Sequence, residues 1–400
     1  MKYIVVLCDG MSDLPCPELA GKTPMEYAFK PHMDSFAQKG EVGLVQTVPK
    51  GFSPGSDIAN LSAMGYDPAV YYSGRSPLEA VSLGIDLAGD DVALRCNLVS
   101  LSESGNYDTK IMKDYCGGDI STEEAAQLIA AVQETLGNEN YRFYPGFSYR
   151  HCLVWKGGSV DITLTPPHDI SGKAIGEYTH HDKTSDLTHL MRQSYELLKD
   201  HPVNLARIEK GLLPANSIWL WGQGSRPNLD NFHQKTGLKG AVISAVDLLM
   251  GIGKCAGMKT FRPEGATGYI DTRFDKKVEA VFGAFDSGSD YVYLHIEAPD
   301  ECGHRGEAQN KVKSIEMIDA QVLAPLKDGL KKYGRYRMLI MPDHPTPLVT
   351  RTHSSDPVPY ILYDSGNETD SGVYCFTEAS AAGTGIFIDP GHMMIDRMIM

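Results

Sequence analysis

The stretch MLIMPDHPTP, residues 338–347, decides how this chain is expected to fold. Its four leading apolar residues are typical of a short buried strand, and Pro342 and Pro345 bring that strand to an end. Asp343 and His344 therefore stand at its carboxyl end, where a carboxylate oxygen and an imidazole nitrogen can both reach one cation. An Asp-His pair on its own is more typical of a turn with a helix cap, so a site is indicated only if other strand ends repeat the pattern.

Other apolar runs of the chain end in the same kind of residue. The runs at 3–8 and 291–297 each continue into polar loops, and a third polar loop follows the opening stretch. Strands separated by helices form parallel sheets, and the carboxyl ends of such strands share one edge, so the polar side chains there are expected to meet. These side chains are Asp9, Asp300, His304, Asp343, His344 and His353. The pattern predicts an α/β fold with a ligand site at that edge.

Crowded carboxylates and imidazoles require a compensating charge. Such side chains cannot lie together unpaired without a large electrostatic cost. Two divalent cations are the simplest account, and Asp/His ligation without cysteine suits Mn²⁺, Mg²⁺, Zn²⁺ or Fe²⁺. Two metal ions about 4 Å apart would hold the attacking and leaving oxygens of an in-line phosphoryl transfer.

The loop PKGFSPGSDIAN, residues 49–60, places Ser56 at the N-terminus of a predicted helix. A serine in that position is most often a helix cap. The alternative is chemical, because free backbone N–H groups at a helix N-terminus favour an incoming phosphate. A serine hydroxyl there could attack phosphorus if a metal ion lowered its pKa. The residues alone leave both interpretations open.

After Asp91 the sequence mixes strand-forming residues with Arg and Asn. Residues 92–213 are predicted to form an α/β unit of their own. This section is rich in side chains that could bind an anion, although each of them alone is more typical of a surface or packing residue. The loop that holds both His168 and Lys173 is the best of these candidates. The full set is Arg95, Arg150, His151, His168 and Lys173.

The composition limits the partners and the compartment. The 400 residues include 51 acidic and 37 basic side chains, and the formal net charge of −14 argues against nucleic acid or an anionic membrane as the main partner. The N-terminal residues do not resemble a signal peptide, and no apolar run is long enough to span a bilayer. The eight cysteines are scattered without C-x-x-C pairs, so we expect reduced thiols in a cytoplasmic protein.

Taken together, the motifs are similar to those of one known family. Over nearly its whole length the chain resembles the cofactor-independent (2,3-bisphosphoglycerate-independent) phosphoglycerate mutases of the archaeal type, within the alkaline phosphatase superfamily. The motifs that carry the resemblance are CDGM (8–11), GSDIAN (55–60), GYDP (65–68), EAPDECGH (297–304), DH (343–344) and HSSDPVP (353–359).

This resemblance implies a fold and a domain organisation. The fold would be an alkaline phosphatase-like parallel sheet flanked by helices, with a smaller α/β domain inserted into it. The metal-binding core would comprise residues 1–91 and 214–400. Residues 92–213 would be the inserted substrate-binding domain.

The resemblance also implies roles for individual residues. Ser56 would be the nucleophile that transiently carries phosphate while 3-phosphoglycerate and 2-phosphoglycerate interconvert in glycolysis, with domain closure excluding water. One metal ion would bind Asp300, His304 and His353. The other would bind Asp9, Asp343, His344 and the Ser56 oxygen, and Mn²⁺ is the expected metal, with Mg²⁺ or Zn²⁺ as alternatives. The side chains expected to hold the substrate are Arg150, His151, His168 and Lys173, with Arg75 and Arg262 as further candidates.

The motifs do not settle which molecule accepts the phosphate. After the DH pair the chain has PTP (345–347), where mutases of this type more often have Ser-Thr-Pro. The segment CGHRG (302–306) is also similar to a sub-branch proposed to contain homoserine kinases. The hypotheses are therefore a mutase, a kinase that passes phosphate from a nucleotide to homoserine or a similar alcohol, and a metal-dependent phosphatase. The oligomeric state stays open.

Overall fold

The computed structural model describes residues 1–103, 105–179 and 184–400. The strands within these ranges are β1 (Lys2–Cys8), β2 (Glu41–Val45), β3 (Asp91–Leu101), β4 (Met112–Asp114), β5 (Tyr141–Phe147), β6 (Arg150–Lys156), β7 (Ser217–Ser225), β8 (Gly240–Ile243), β9 (Lys259–Phe261), β10 (Tyr291–Ile296), β11 (Tyr336–Met341), β12 (Val358–Asp364) and β13 (Phe387–Ile388).

The α-helices in the same ranges are α1 (Pro24–Tyr27), α2 (Pro31–Lys39), α3 (Ser56–Ala63), α4 (Pro68–Tyr71), α5 (Arg75–Ser82), α6 (Thr122–Leu136), α7 (Ser185–Leu198), α8 (Pro202–Glu209), α9 (Phe232–Thr236), α10 (Asp247–Cys255), α11 (Phe274–Asp286), α12 (Ala298–Arg305), α13 (Ala308–Ile318), α14 (Ala324–Gly329), α15 (Glu378–Gly383) and α16 (Met394–Ile399). Among the described residues, no helix has both the length and the apolar character needed to cross a membrane.

The chain divides into two compact units, each with its own sheet. The first unit comprises Met1–Tyr72 and Asn228–Met400, and the second comprises Ser73–Pro227. The insertion predicted at 92–213 lies inside the second unit. That unit extends further at both ends because β7 pairs with β3 and because α5 packs its Ala80 against the same sheet.

The first unit is built on an eight-stranded sheet with the order β13-β2-β12-β11-β1-β10-β8-β9. The strands β11, β1, β10, β8 and β9 pair in parallel, whereas β12 is antiparallel to both of its neighbours. Every residue of β10 is buried, as expected for a parallel strand covered on both faces. The predicted α/β fold with a mainly parallel sheet is therefore confirmed.

Two stretches of the first unit differ from the periodicity of their sequence. Residues 241–254 predict one helix, but the stretch begins in β8, because its apolar residues pair with β10, and only then enters α10. Residues 306–332 predict one long helix, which the structure divides into α13, a π-helical segment (Asp319–Leu323) and α14. Pro325 lies at the start of α14, and its missing N–H explains why regular α-helical hydrogen bonding fails just before it.

A buried ion pair joins the loops that follow β1 and β11. Lys311 Nζ on α13 lies 2.6 Å from Asp13 Oδ2, and both side chains are fully buried. The same ammonium donates to the Thr346 carbonyl oxygen at 2.8 Å, while the Leu348 N–H donates to Asp13 Oδ1 at 3.1 Å. The pair therefore fixes the position of one loop relative to the other.

The second unit has a smaller sheet in which all pairings are antiparallel. The long strand β3 pairs with β4, β6 and β7, and β5 extends the sheet from β6. Side chains of β3, β7, α6 and α7 form the core of the unit, including Leu94, Leu128, Leu187 and Trp219. A smaller apolar cluster lies around α5, where Ala80 meets Ala93 and Cys152.

The buried pair gives a first prediction. Lys311→Met should lower the free energy of unfolding by about 3–5 kcal/mol, because the Asp13 carboxylate then stays buried without its partner. Urea unfolding followed by circular dichroism measures this change. Lys331→Met is the matched control, because Lys331 lies 2.7 Å from Asp328 in a pair that is mostly exposed, and its loss should leave stability unchanged. Equal stability changes in the two variants would contradict the role given to burial.

Candidate functional site

Three strand ends bring the predicted carboxylates of the first unit to one place. Strand β1 lies between β10 and β11, and all three run parallel. Asp9 follows β1, Asp343 follows β11 after one proline, and Asp300 lies in the first turn of α12 just beyond β10. The carboxylates consequently stand at the same edge of the sheet, where α/β proteins bind their ligands.

Asp9, Asp343 and His344 form what we call the first donor group. Each offers one ligand atom, and these atoms lie within 4.8 Å of one another. The Nε2 atom of His344 is 3.7 Å from Asp9 Oδ1 and 3.4 Å from Asp343 Oδ2. All three side chains are buried, and Asp9 Oδ1 has no hydrogen-bond partner among the described residues. A buried oxygen without a hydrogen-bond partner needs compensation, which a cation or a water molecule can supply.

Asp300, His344 and His353 form the second donor group, again with ligand atoms within 4.8 Å. His304, one helical turn beyond Asp300, completes it: its Nε2 lies 3.2 Å from Asp300 Oδ2 and 2.9 Å from His353 Nε2. His344 thus belongs to both groups, whereas the family resemblance implies that it binds one metal only. The His344 imidazole is therefore common to the two groups.

The electrostatics of the donor groups fit a divalent cation. Burial raises the pKa of Asp9 well above its ordinary value, and repulsion from Asp343 raises it further. Burial also opposes ionisation of Asp300, but hydrogen bonds from His304 and His353 hold its pKa well below the ordinary value. The hydrogen bond to Asp300 raises the pKa of His304 to about 9. Carboxylates that repel one another beside imidazole nitrogens form a setting that a metal ion stabilises.

Ser56 lies against the first donor group. Gly55, not Ser56, occupies the N-cap position of α3, so the serine side chain is not the helix cap. Its Oγ instead lies 3.1 Å from His344 Nε2. Asn60, one turn later, donates to the Ser56 carbonyl at 2.8 Å and to Asp343 Oδ2 at 2.7 Å, which ties the helix to the strand end.

Gly10 lies in the narrow space between the loop after β1 and α12. Its φ of +61° is in the left-handed region that favours glycine. A Cβ atom at this position would lie 2.7 Å from the Cα of Asp300 and 2.6 Å from Oγ1 of Thr346. A side chain is therefore excluded here by both conformation and space.

The chain is similar to known proteins over its whole length. A model of the family described as 2,3-bisphosphoglycerate-independent phosphoglycerate mutase matches residues 37–204. A Geobacter sulfurreducens protein named probable 2,3-bisphosphoglycerate-independent phosphoglycerate mutase is 50% identical over 400 residues, covering all of both chains. The chain belongs to this family. A mutase of the same name from Methanothrix thermoacetophila is 48% identical over 401 residues, again with both chains fully covered.

Solved structures agree with this membership. The PH0037 protein from Pyrococcus horikoshii superposes with a TM-score of 0.82 at 28% identity, covering 100% of this chain and 96% of that one. The cofactor-independent phosphoglycerate mutase from Thermoplasma acidophilum gives a TM-score of 0.64 at 25% identity, covering 100% and 99%. The fold of the whole chain is therefore that of the mutase family.

The structure adds residues to this mutase-family site that the sequence analysis did not single out. Thr346 Oγ1 donates to Asp300 Oδ1 at 2.5 Å and lies 3.3 Å from His344 Nδ1. Asn60 and the buried His295 contact other carboxylates of the site. The sequence carries a signal for Asn60, because it follows Ser56 by one helical turn and therefore lies on the same face of the helix. His295 lies inside an apolar strand and carried no separate signal.

Several of the predicted substrate-binding residues lie in the second unit on a cluster around Glu79. Arg75 Nε is 2.8 Å from Glu79 Oε1, and Arg95 Nε is 2.9 Å from Oε2. Although burial opposes its ionisation, the charges of Arg95 and Arg75 keep the pKa of Glu79 below its ordinary value. The Arg95 guanidinium stacks 4.6 Å from the Trp221 ring, and His168 lies 5.4 Å from the same ring. The structure thus places Arg75 and His168 near Arg95.

The structure separates Arg150 from His151. They are consecutive residues of β6, so their side chains point to opposite faces of the sheet. Arg150 is exposed and lies over the Tyr149 ring, whereas His151 is buried and pairs in register with Cys96 of the core. Burial lowers the pKa of His151 to about 3, which leaves the imidazole neutral. The two therefore do not form one anion site.

Lys173 and Arg262 lie apart from the Glu79 cluster. Lys173 Nζ donates to the Asp169 carbonyl oxygen at 3.1 Å in an exposed loop of the second unit. Arg262 belongs to the first unit and forms an ion pair with Asp247. A substrate role for either residue stays a prediction.

The second donor group gives a prediction on metal binding. His353→Ala should reduce the Mn²⁺ bound per chain by one equivalent, because Asp300 loses one of its imidazole neighbours while the first donor group stays intact. Isothermal titration calorimetry of metal-free protein measures the stoichiometry. His233→Ala, at an exposed histidine in the same unit, should bind as the parent protein does. Unchanged stoichiometry and affinity in His353→Ala would exclude this histidine as a ligand.

Proposed function

We propose that this chain is a 2,3-bisphosphoglycerate-independent phosphoglycerate mutase, which interconverts 3-phosphoglycerate and 2-phosphoglycerate in glycolysis through a phosphoserine at Ser56. Relatives that carry this name match it over its whole length. The observation that carries the chemical part of the proposal is the position of Ser56 Oγ, 3.1 Å from the one imidazole that both donor groups share. A hydroxyl held there lies beside His344, a residue that belongs to both donor groups.

The donor groups would hold two divalent cations. Asp9, Asp343, His344 and Ser56 would bind one, and Asp300, His304 and His353 would bind the other. Bound metal ions would supply positive charge that favours the ionised serine oxygen and the transferred phosphoryl group. We propose Mn²⁺ as the metal, because both donor groups consist of carboxylates and imidazoles without a cysteine, which suits this ion.

Ser56 would carry the phosphoryl group between two positions of glycerate. Its Oγ loses a proton and forms a bond to phosphorus, while the ester bond between phosphorus and the glycerate 3-oxygen breaks and that oxygen takes up a proton. The 2-hydroxyl of glycerate then loses its proton and forms a bond to phosphorus, while the bond between phosphorus and Oγ breaks and Oγ takes up a proton. A phosphate on Ser56 would lie at the N-terminus of α3, where the helix dipole stabilises negative charge.

The cations of the second unit would hold the carboxylate of glycerate. Arg75 and Arg95 are already fixed by Glu79, which reduces the side-chain entropy lost when they bind an anion. Arg150 and His168 are exposed and also carry donor nitrogens. We assign these side chains, rather than His151, to the substrate.

We place the reaction in the cytoplasm with a small phosphorylated metabolite as the partner. All eight cysteines are free thiols, which suits a reducing compartment. The acidic net charge of −14 gives no support for a nucleic-acid partner.

The nucleophile gives the main test of the proposal. Ser56→Ala should lower mutase turnover more than about 1,000-fold, because the oxygen that carries phosphate is gone. Two equivalents of Mn²⁺ should still bind, with weaker affinity at the first donor group, because Asp9, Asp343 and His344 remain while the Ser56 oxygen is lost. An enolase-coupled assay started with 3-phosphoglycerate measures turnover, and mass spectrometry of quenched protein detects phosphate on Ser56.

The control for this test is Ser53→Ala, an exposed serine three residues earlier in the same loop, which should retain full activity. An assay with ATP and homoserine run on the same samples separates mutase from kinase. Substantial mutase turnover in Ser56→Ala would disprove the phosphoserine route. Activity with ATP and homoserine but none with 3-phosphoglycerate would replace the mutase by the kinase.

The second unit gives a separate prediction for substrate binding. Arg150→Met should raise KM for 3-phosphoglycerate about tenfold or more, because one charge-assisted hydrogen bond to the carboxylate is lost. Arg192→Met is the control, because Arg192 pairs with Asp108 on the surface of the same unit and should leave KM unchanged. Steady-state kinetics of both variants measure the effect, and an unchanged KM in Arg150→Met would remove this residue from the substrate site.

A further inference from the structure

A buried histidine outside the two donor groups touches the site from behind. His295 lies on β10, between β1 and β8, and its side chain is fully buried. Its Nε2 lies 2.8 Å from Asp9 Oδ2. Neither donor group includes His295, and its contact with the site is the hydrogen bond to Asp9.

The other side of the ring is held by Ser244. The Nδ1 atom of His295 lies 3.1 Å from Ser244 Oγ, and the Val246 N–H donates to the same Oγ at 2.9 Å. An ionised Asp9 carboxylate can only accept a hydrogen bond, so the proton of a neutral His295 ring lies on Nε2 and is donated to Oδ2. Nδ1 is then an acceptor, and the Ser244 hydroxyl can donate to it while its oxygen accepts from Val246.

This chain of hydrogen bonds makes the two oxygens of Asp9 different. Oδ2 accepts from His295, whereas Oδ1 is buried, has no hydrogen-bond partner in the described part of the chain, and lies 3.7 Å from Nε2 of His344. The free oxygen is therefore the one beside the ligand atoms of the first donor group. A neutral donor behind Asp9 orients the carboxylate without adding a positive charge that would compete with a cation.

We propose that His295 is a positioning residue of this site: held by Ser244, it fixes the Asp9 carboxylate so that Oδ1 is the atom offered to a divalent cation. The proposal deepens the proposed function, because it rests on a cation bound at the first donor group. It extends the site from the ligands themselves to a three-residue chain, Val246–Ser244–His295, that lies behind them.

Mn²⁺ titration of the metal-free full chain by isothermal titration calorimetry tests the proposal without any need for turnover. His295→Leu fills the same buried space without a donor and should weaken Mn²⁺ at one site about 10- to 100-fold. His295→Gln should recover most of the affinity, because its carboxamide N–H can replace the Nε2–H. Ser244→Ala should weaken binding less than His295→Leu, because the ring keeps its place but not its preferred tautomer.

Tyr291→Phe is the matched control, because Tyr291 is a buried residue of the same strand whose hydroxyl has no hydrogen-bond partner among the described residues. It should bind Mn²⁺ as the parent protein does. Circular dichroism of each metal-free variant shows whether it folds, and if His295→Leu does not fold, Ser244→Ala decides. Parent-like affinity in His295→Leu, or in Ser244→Ala when that variant decides, would overturn the proposal, as would equal losses in His295→Gln and His295→Leu.

Turnover separates this proposal from the proposed function. The activity of His295→Leu should return as the Mn²⁺ concentration is raised, with a higher concentration for half activation, whereas Ser56→Ala should stay inactive at every concentration. A parent protein without mutase activity but with the expected Mn²⁺ affinities would disprove the function and leave the role of His295 intact. A loss of kcat in His295→Leu that saturating Mn²⁺ does not restore, with parent-like Mn²⁺ affinity, would contradict the positioning role.

Discussion

Asp9, Asp300 and Asp343 lie buried at the carboxyl ends of neighbouring parallel strands, and their mutual repulsion is the constraint that the surrounding structure has to satisfy. Parallel pairing of β1 with β10 and β11 brings the ends of these strands, and the three side chains that follow them, to the same edge of the sheet. Charge at this edge therefore has to be balanced from outside the sheet. The imidazoles from α12 and from the loop after β11 stand where a cation would complete that balance.

The hydrogen-bond donors to Asp343 are neutral groups, and the buried lysines near the site bind other acceptors. Asp343 accepts hydrogen bonds from Asn60 and from the backbone N–H groups of Gly10 and His344. Lys311, by contrast, binds Asp13 and loop carbonyls, and Lys277 donates to a backbone carbonyl at 2.9 Å. This separation matters because a lysine ammonium among the donor groups would occupy the place of a metal ion. The scaffold is thus rigid without filling the site that it holds.

The meeting of these carboxylates and imidazoles could be predicted, because most of them closely follow an apolar run and a parallel sheet brings the ends of such runs to one edge. The position of His344 between the two donor groups was less accessible, because only coordinates show that it reaches both. The sequence places Arg150 and His151 side by side as candidate substrate binders, whereas the two-residue period of β6 directs their side chains to opposite faces.

Other features were not accessible from the pattern. The sequence of β8 predicts the start of a helix, because its few apolar residues fit either period, and only pairing with β10 decides for a strand. His295 is hidden among apolar neighbours, so nothing in composition marks it. Features set by local order along the chain were therefore predictable, and features set by a partner strand were not.

The close packing at Gly10 fixes the distance between the first and the second donor group. The backbone of the loop after β1 rests directly against the start of α12, so the separation of Asp9 from Asp300 is set by atoms of the main chain. Any larger residue at position 10 would increase the distance between the carboxylates of Asp9 and Asp300. The separation of the two donor groups is thereby tied to the absence of a single methyl group, and a substitution there would disturb both groups while leaving all of their residues in the sequence.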